Sequence, residues 1–178
     1  IAVQTRYRPD RDAELIAQYS QSTVTSDGGP AVIVSYSIGT DRNDLIQAWE
    51  RATPRFEQRM EAIRTLREQN VFVVTTLSPF GFWNDLSGTL EQFLEWGVAY
   101  ITCLFFKKAT DSANTPRPFL AYLEKYHSDL LNPSWQAQQV ALMKAVYGEN
   151  RVLLYKAGFA SLTAPHRVAL STAIPEGG

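Results

Sequence analysis

The chain has 178 residues, 45% hydrophobic and 20% charged, enough for one domain that buries about 70% of its unfolded surface without staples. Seventeen Lys and Arg against eighteen Asp and Glu leave a formal charge of −1, which excludes a bulk polyanion binder but not a local basic patch. One Cys and two His exclude an internal disulfide and an ordinary structural zinc site, and no apolar run reaches the ~18 residues of a membrane span, so a reducing, cytoplasmic setting is expected.

Ile1-Ala2-Val3-Gln4-Thr5 reads as a short strand, with no initiator Met, signal peptide or tag, as expected of a processed or truncated piece. Residues 10–20 read as a helix capped by Asp10, with Leu15, Ile16 and Tyr19 on one face. A turn over 25–30 leads to a β-branched strand over 31–38. A short helix over 44–49 is followed by a longer one, with Thr53 as N-cap, Pro54 at the first position and Glu57 in the first turn. Phe56, Met60, Ile63 and Leu66 mark its buried face and Asn70 its end. Residues 71–77 form the third strand, and 78–81 a loop. Asn84 or Asp85 caps a helix that runs to Trp96 and stops at Gly97. The apolar run 98–106 is a strand covered on both faces, as in a parallel sheet. Helices are expected over 115–131 and 134–147, a strand over 151–155 and a loose tail from Ala164.

Four βα units in succession give parallel strands with right-handed crossovers, hence an α/β fold. They are too few for a closed eight-stranded barrel of ~250 residues, so the units form an open sheet or part of a TIM-type barrel. Residues 1–108 make the barrel portion and 109–178 a C-terminal helical extension packed on it. Phe119, Tyr122 and Leu123 face Val140, Leu142, Met143 and Val146 there.

Chemistry in parallel α/β folds lies at the carboxyl ends of the strands. Here those ends are Thr5-Arg6-Tyr7-Arg8, Ser37 to Asp41, Ser78-Pro79-Phe80-Gly81 and Phe106-Lys107-Lys108. They offer cations, hydroxyls and one acid, suited to a ligand with a carboxylate, an amine and hydroxyls. No nucleophile is paired with a base, neither His127 nor His166 lies in these loops, and no phosphate-binding Gly-rich loop exists. Arg51, Arg55 and Arg59 make a positive stripe that faces either solvent or DNA phosphates. Phe80, Phe82 and Trp83 either anchor their loop or stack on a base, and Cys103 reads as an inert buried thiol. A weaker reading makes Asp41 or Glu50 a general acid or base.

Thr5-Arg6 with Arg11-Asp12, the strand end Val34 to Thr40, and Glu50 to Pro54 followed by Arg59 together resemble segments of radical S-adenosylmethionine enzymes, closest to the spore photoproduct lyase and DNA-repair-photolyase-like branch. Thr5-Arg6 with Arg11-Asp12 and Leu15 resembles that branch's T-K/R…R-D…L segment. Val34-Ser35-Tyr36-Ser37-Ile38-Gly39-Thr40 resembles its V-S-x-S-I-T-T strand end. Glu50-Arg51-Ala52-Thr53-Pro54, then Arg59, Ala62-Ile63 and Leu66, resembles its E-P-x-T-P…R…A-I…L helix. Residues 71–79 resemble its strand ending in A/S-P, and Asn84-Asp85 its following cap. The likeness covers about residues 1–106 and fades beyond. Arg6 stands for the usual Lys, and Arg51 for the Pro after Glu50. The C-x-x-x-C-x-x-C loop that holds the four-iron four-sulfur cluster is absent.

The resemblance implies that residues 1–106 are the third to sixth strands of a partial barrel. It implies that Arg6 and Ser37 contact the aminocarboxylate end of S-adenosylmethionine, that Thr40 or Glu50 lies near its ribose, and that Arg59 orients Glu50. The backbone of 77–79, Ser78 included, would meet the adenine. In the complete enzyme, reductive cleavage of the cofactor on the cluster gives a 5′-deoxyadenosyl radical; here the iron–sulfur cluster would come only through residues outside this chain. The expectation is a fragment of a lyase-like enzyme, of DNA-repair type, inactive alone, with no catalytic or metal-ligating residue of its own. Its partner would be the missing N-terminal barrel segment or a second copy, with DNA unsupported by net charge. The alternative is a non-catalytic α/β binding or assembly module.

Overall fold

A computed structural model describes residues 1–22, 30–107 and 116–155. The turn expected over 25–30 lies outside these residues except for Pro30, as do Lys108, Thr115, His166 and the tail from Ala164. Five strands, β1 (Ala2–Thr5), β2 (Ile33–Ser37), β3 (Phe72–Leu77), β4 (Tyr100–Cys103) and β5 (Val152–Leu154), form one all-parallel sheet in sequence order. The crossovers carry α1 (Ala13–Ser22), the pair α2 (Asn43–Trp49) and α3 (Phe56–Glu68), α4 (Leu86–Glu95), and the pair α5 (Arg117–Tyr126) and α6 (Pro133–Tyr147). The chain is therefore α/β, and α5 and α6 form the connection that returns the chain to β5.

Alternation along the strands sorts the sheet into two faces. Val34, Tyr36, Val73, Leu77, Ile101, Cys103 and Val152 join Ala13, Ala17, Ile63, Leu66, Leu90, Phe93 and Met143 of the helices in one core. Ile33, Phe72, Val74 and Tyr100 form a second cluster with Ala99 and Leu153. Toward the strand C-termini this second face changes from apolar to hydroxylated. Ser35 Oγ lies 2.7 Å from Thr76 Oγ1, and Thr102 Oγ1 donates to Thr76 Oγ1 at 3.0 Å, all three being buried.

The N-terminal end of the sheet is held by long side chains that reach backbone carbonyls. Arg67 donates to Val71 O at 2.6 Å and Trp96 O at 3.1 Å, and Arg151 to Val98 O at 2.7 Å and Ala99 O at 2.9 Å. The Tyr147 hydroxyl donates to Val98 O as well, and burial pushes that phenol's pKa far up. These contacts satisfy carbonyls that the strands have not yet paired.

Four expectations need correction. The buried face of α1 is Ala13 and Ala17, while Leu15 and Tyr19 are exposed, because the alanines let the helix approach the sheet closely. Asp10 does not cap that helix; it sits in a 3-10 turn (Pro9–Asp12) and takes a forked bond from Arg8. The helix opening at Thr53 begins at Phe56 instead, because the Thr53 hydroxyl is engaged by Glu50 O and Arg59, and Arg55 N donates to Gln58 Oε1. The positive stripe does not exist: Arg59 is wholly buried and Arg51 precedes the helix. By contrast Asn70, at φ 58°, and Gly97, at φ 72°, end their helices in the left-handed conformation as expected.

Neighbouring threonines on β3 predict opposite effects. Thr75 is fully buried on the helix side and among the described residues its hydroxyl has no partner, whereas Thr76 sits at the centre of the hydroxyl ladder. Thr75→Val removes an unpaired polar group and should stabilise by about 1 kcal/mol, raising Tm by roughly 2–4 °C. Thr76→Val strands Ser35 and Thr102 and should destabilise by about 1–2 kcal/mol. Thermal unfolding of the two variants checks both signs, and a shift in the same direction would contradict the assignment of faces.

Candidate functional site

The site is built at the C-terminal edge of the sheet, where Thr5, Ser37, Leu77 and Cys103 end consecutive strands. Its loops are tied to one another before any ligand arrives. Gly81 N donates to Gly39 O at 2.7 Å, and a Cβ added at Gly39 would stand 2.2 Å from Pro79 O, so the loops after β2 and β3 approach as closely as glycine permits. The Thr40 hydroxyl donates to Phe82 O and accepts from Arg42 N at 3.1 Å. The Asp41 carboxylate accepts from Asn84 N and Asp85 N at 2.8 Å each, and Asp85 in turn caps α4 through Gly88 N. Phe80 N donates to Leu104 O at 3.0 Å and Leu104 N to Leu77 O at 3.1 Å, which extends the tie to the end of β4.

Behind the rim lies Arg59, 0% exposed. Its Nη2 donates to Glu50 Oε2 and to Thr53 Oγ1, both at 2.6 Å, its Nε to Pro54 O at 2.9 Å and its Nη1 to Ser37 O at 3.4 Å. A buried guanidinium persists only when its charge is paired and its donors are used, and here both hold. The other Glu50 oxygen, Oε1, lies 3.7 Å from Arg6 Nη1. That distance is an ion pair but too long for a hydrogen bond, so Arg6, whose side chain is 42% exposed, keeps donors to offer.

A cavity of about 350 Å³ opens at this point, lined by Gln4, Thr5, Arg6, Tyr7 and Ser37. The Thr5 hydroxyl accepts from Tyr7 N at 3.1 Å, and the Tyr36 hydroxyl donates to Tyr7 O, so the loop after β1 is fixed. Ser37 Oγ donates to Ser78 O at 3.3 Å. The cavity is therefore lined largely by polar groups, and Arg6, the one cation among its lining residues, is only partly neutralised.

Of the residues singled out in the sequence, Arg6 and Ser37 share the cavity, while Glu50 and Arg59 connect directly behind it. Thr40 does not line it, and its hydroxyl is used twice within the rim. Ser78 enters through its carbonyl. Asp41 accepts from two backbone amides and ties the loop after β2 to the start of α4. Phe80 is fully buried, 4.9 Å from Phe105, and Phe82 packs against Trp135 and His127, so both anchor the loop. Tyr7 lines the cavity as part of the strand-end loop picked out in the sequence, whereas Gln4 is a lining residue that the sequence reading passed over; a polar Gln interrupting an apolar strand was the available signal. Among the described residues no group of three His, Cys, Asp or Glu could hold a metal ion.

The chain matches no protein-family model, no curated protein and no solved structure.

Two outcomes follow from this geometry. Arg59→Ala leaves the Glu50 carboxylate buried without its partner and should cost about 3–5 kcal/mol in urea unfolding. Glu50→Gln, which still accepts a hydrogen bond, should cost clearly less, and equal losses would refute a charge-paired site. Burial pushes the Cys103 thiol well above its ordinary pKa. A thiol-reactive dye at pH 8 should label Cys103 only after denaturation; rapid labelling of the native chain would contradict its burial.

Proposed function

We propose that this chain supplies the cofactor-facing strands of a partial βα barrel of the radical S-adenosylmethionine type, binding the cofactor at the Arg6–Ser37 cavity. The observation that carries the reading is that Arg6 and Ser37 line one cavity, with Glu50 held against Arg6 by the buried Arg59. The sheet supports it too, since parallel strands in sequential order are the winding of a barrel wall.

The cavity's chemistry suits the cofactor's aminocarboxylate. Arg6 would fork onto the carboxylate, and the oxygens of Thr5, Ser37 and Gln4 would accept from the ammonium. Its volume of about 350 Å³ lies at the lower end of the usual range for ligand pockets, about 300–1,000 Å³. Because the Thr40 hydroxyl is committed, a ribose contact falls to Glu50. These residues bind and orient; none of them is a proton carrier placed against a reacting atom.

The cluster does not fit this chain. Four-iron clusters need three or four thiolates, and the sequence has one Cys, which is buried on the helix side of β4. No step is derived through it, and any cluster would be held by residues outside this sequence. An assembly-module reading has its own support: among the described residues β1 pairs on one side only, and Ile1, Tyr7, Leu15 and Tyr19 are exposed. Unpaired edges of this kind take a strand from elsewhere. Either the front of the barrel or a second copy would serve, and sedimentation at micromolar concentration distinguishes a dimer from a monomer.

Equilibrium dialysis with labelled S-adenosylmethionine tests the main reading. Saturable binding is expected, weakened about tenfold by Arg6→Gln, a loss of about 1.4 kcal/mol. No saturation up to millimolar cofactor, or binding indifferent to Arg6, would sink it.

A further inference from the structure

Tyr7 is the one aromatic residue among those that line the cavity, and the cofactor reading gives it no task. Its backbone is committed at both polar groups: the N–H donates to Thr5 Oγ1 at 3.1 Å, and the carbonyl accepts from the buried Tyr36 hydroxyl. The next residue anchors the loop further, since Arg8 forks onto Asp10 and lies 3.2 Å from Glu61 of α3. Tyr7 is nonetheless 57% exposed, so what it presents at the mouth is its phenol ring. Other aromatics of the rim are spent on packing: Phe80 is fully buried, and Phe82 lies against Trp135 and His127.

The charge balance of the cavity gives that ring a role. Arg6, Glu50 and Arg59 together carry one positive charge, which a ligand carboxylate on Arg6 neutralises. Among the described residues that line the cavity there is no Asp or Glu to balance a second, positive group on the same ligand. A primary ammonium can still donate to the oxygens of Gln4, Thr5 and Ser37. A sulfonium or a quaternary ammonium has no N–H and cannot. What attracts such a cation without a formal charge is the negative face of an aromatic ring, and Tyr7 is where the lining supplies one.

We propose that Tyr7 makes the cavity selective for a carboxylate ligand that also bears a permanent onium charge, a sulfonium or a quaternary ammonium, over its uncharged counterpart. Arg6 holds the carboxylate, and the Tyr7 ring lies against the carbons bonded to the onium centre. The inference deepens the cofactor reading and rests on it for the carboxylate's place on Arg6. For S-adenosylmethionine it means preference over S-adenosylhomocysteine, whose sulfur is a neutral thioether.

Two small ligands isolate the effect in the full chain. Glycine betaine and tert-butylacetate share one shape and one carboxylate, and differ in a quaternary nitrogen against a carbon. The hydrocarbon's net negative charge gives it the better long-range attraction to Arg6, so a preference for betaine needs a local partner for the cation. NMR titrations should show saturable shifts at millimolar ligand, with betaine bound about threefold tighter. Tyr7→Leu should abolish that preference while leaving the tert-butylacetate midpoint within about twofold. Tyr7→Phe should keep it, because the ring remains. Arg6→Gln should weaken both ligands alike, by about tenfold. Equal midpoints in the native chain, a preference that survives Tyr7→Leu or is lost in Tyr7→Phe, or no saturable binding of either ligand overturns the inference.

The same titrations with S-adenosylmethionine and S-adenosylhomocysteine separate the two readings. Betaine preference without saturable binding of either nucleoside upholds the onium site and removes the cofactor reading. Arg6-dependent binding of both nucleosides with equal affinity, and no betaine preference, does the reverse.

Discussion

The mouth of this sheet depends on one buried cation. Arg59 has no solvent around its guanidinium, so its charge and donors must be met by the protein, and the groups that meet them come from every part of the neighbouring chain: Glu50, Thr53, Pro54 and Ser37. The residues joining α2 to α3 are thereby wound around it, with Ala52 at φ 63° to make the turn. The bond to Ser37 O fixes the end of β2 at the same time. A site residue, a helix entry and a strand terminus thus share one electrostatic requirement, and none can move without stranding a buried charge.

The two ends of the sheet solve their hydrogen-bond problem differently. At the N-terminal end, Arg67, Arg151 and Tyr147 reach across to carbonyls of the connecting turns. Those side chains spend donors on the protein's own backbone, as expected of a stabilising end. At the C-terminal end the loops bond to each other through short groups, Gly39, Thr40 and Asp41, and Arg6 is left partly free. The hydroxyl ladder of Ser35, Thr76 and Thr102 lies beneath, where an apolar face would otherwise continue. The polarity of the sheet thus rises toward the end at which a ligand can enter.

Much of this was legible in the sequence because it depends on local chemistry. The strands were readable from β-branched runs, Asp85 from its cap position, and Asn70 and Gly97 from the need for a left-handed residue after a helix. Arg6 and Ser37 could be placed at one mouth because parallel strands bring their C-termini together. What failed depends on distance. Leu15 and Tyr19 carry the right spacing for a buried face, yet only packing against the sheet decides that the small Ala13 and Ala17 turn inward. Arg59 sits at a spacing that reads as a solvated stripe, and its pairing with Glu50, nine residues earlier, was expected only from the family resemblance and not from any local pattern. Thr40 likewise spends its hydroxyl on Phe82, forty-two residues away, a partner that no pattern reveals.

Glu50 explains how the mouth stays receptive. Its carboxylate is divided: Oε2 is held by Arg59 at 2.6 Å, and Oε1 faces Arg6 at 3.7 Å. Were Glu50 free to turn fully toward Arg6, the two would close into a forked pair and the cavity would lose its donor. Because Arg59 is buried and binds one oxygen firmly, Glu50 can aim Arg6 without saturating it. The three groups together carry one net positive charge, and it resides on the exposed member. A ligand carboxylate entering the cavity then meets a guanidinium already oriented and still lacking a hydrogen-bonded acceptor, so little side-chain entropy remains to be lost on binding. The burial of Arg59, costly in isolation, thus serves both to fix the chain and to keep Arg6 available.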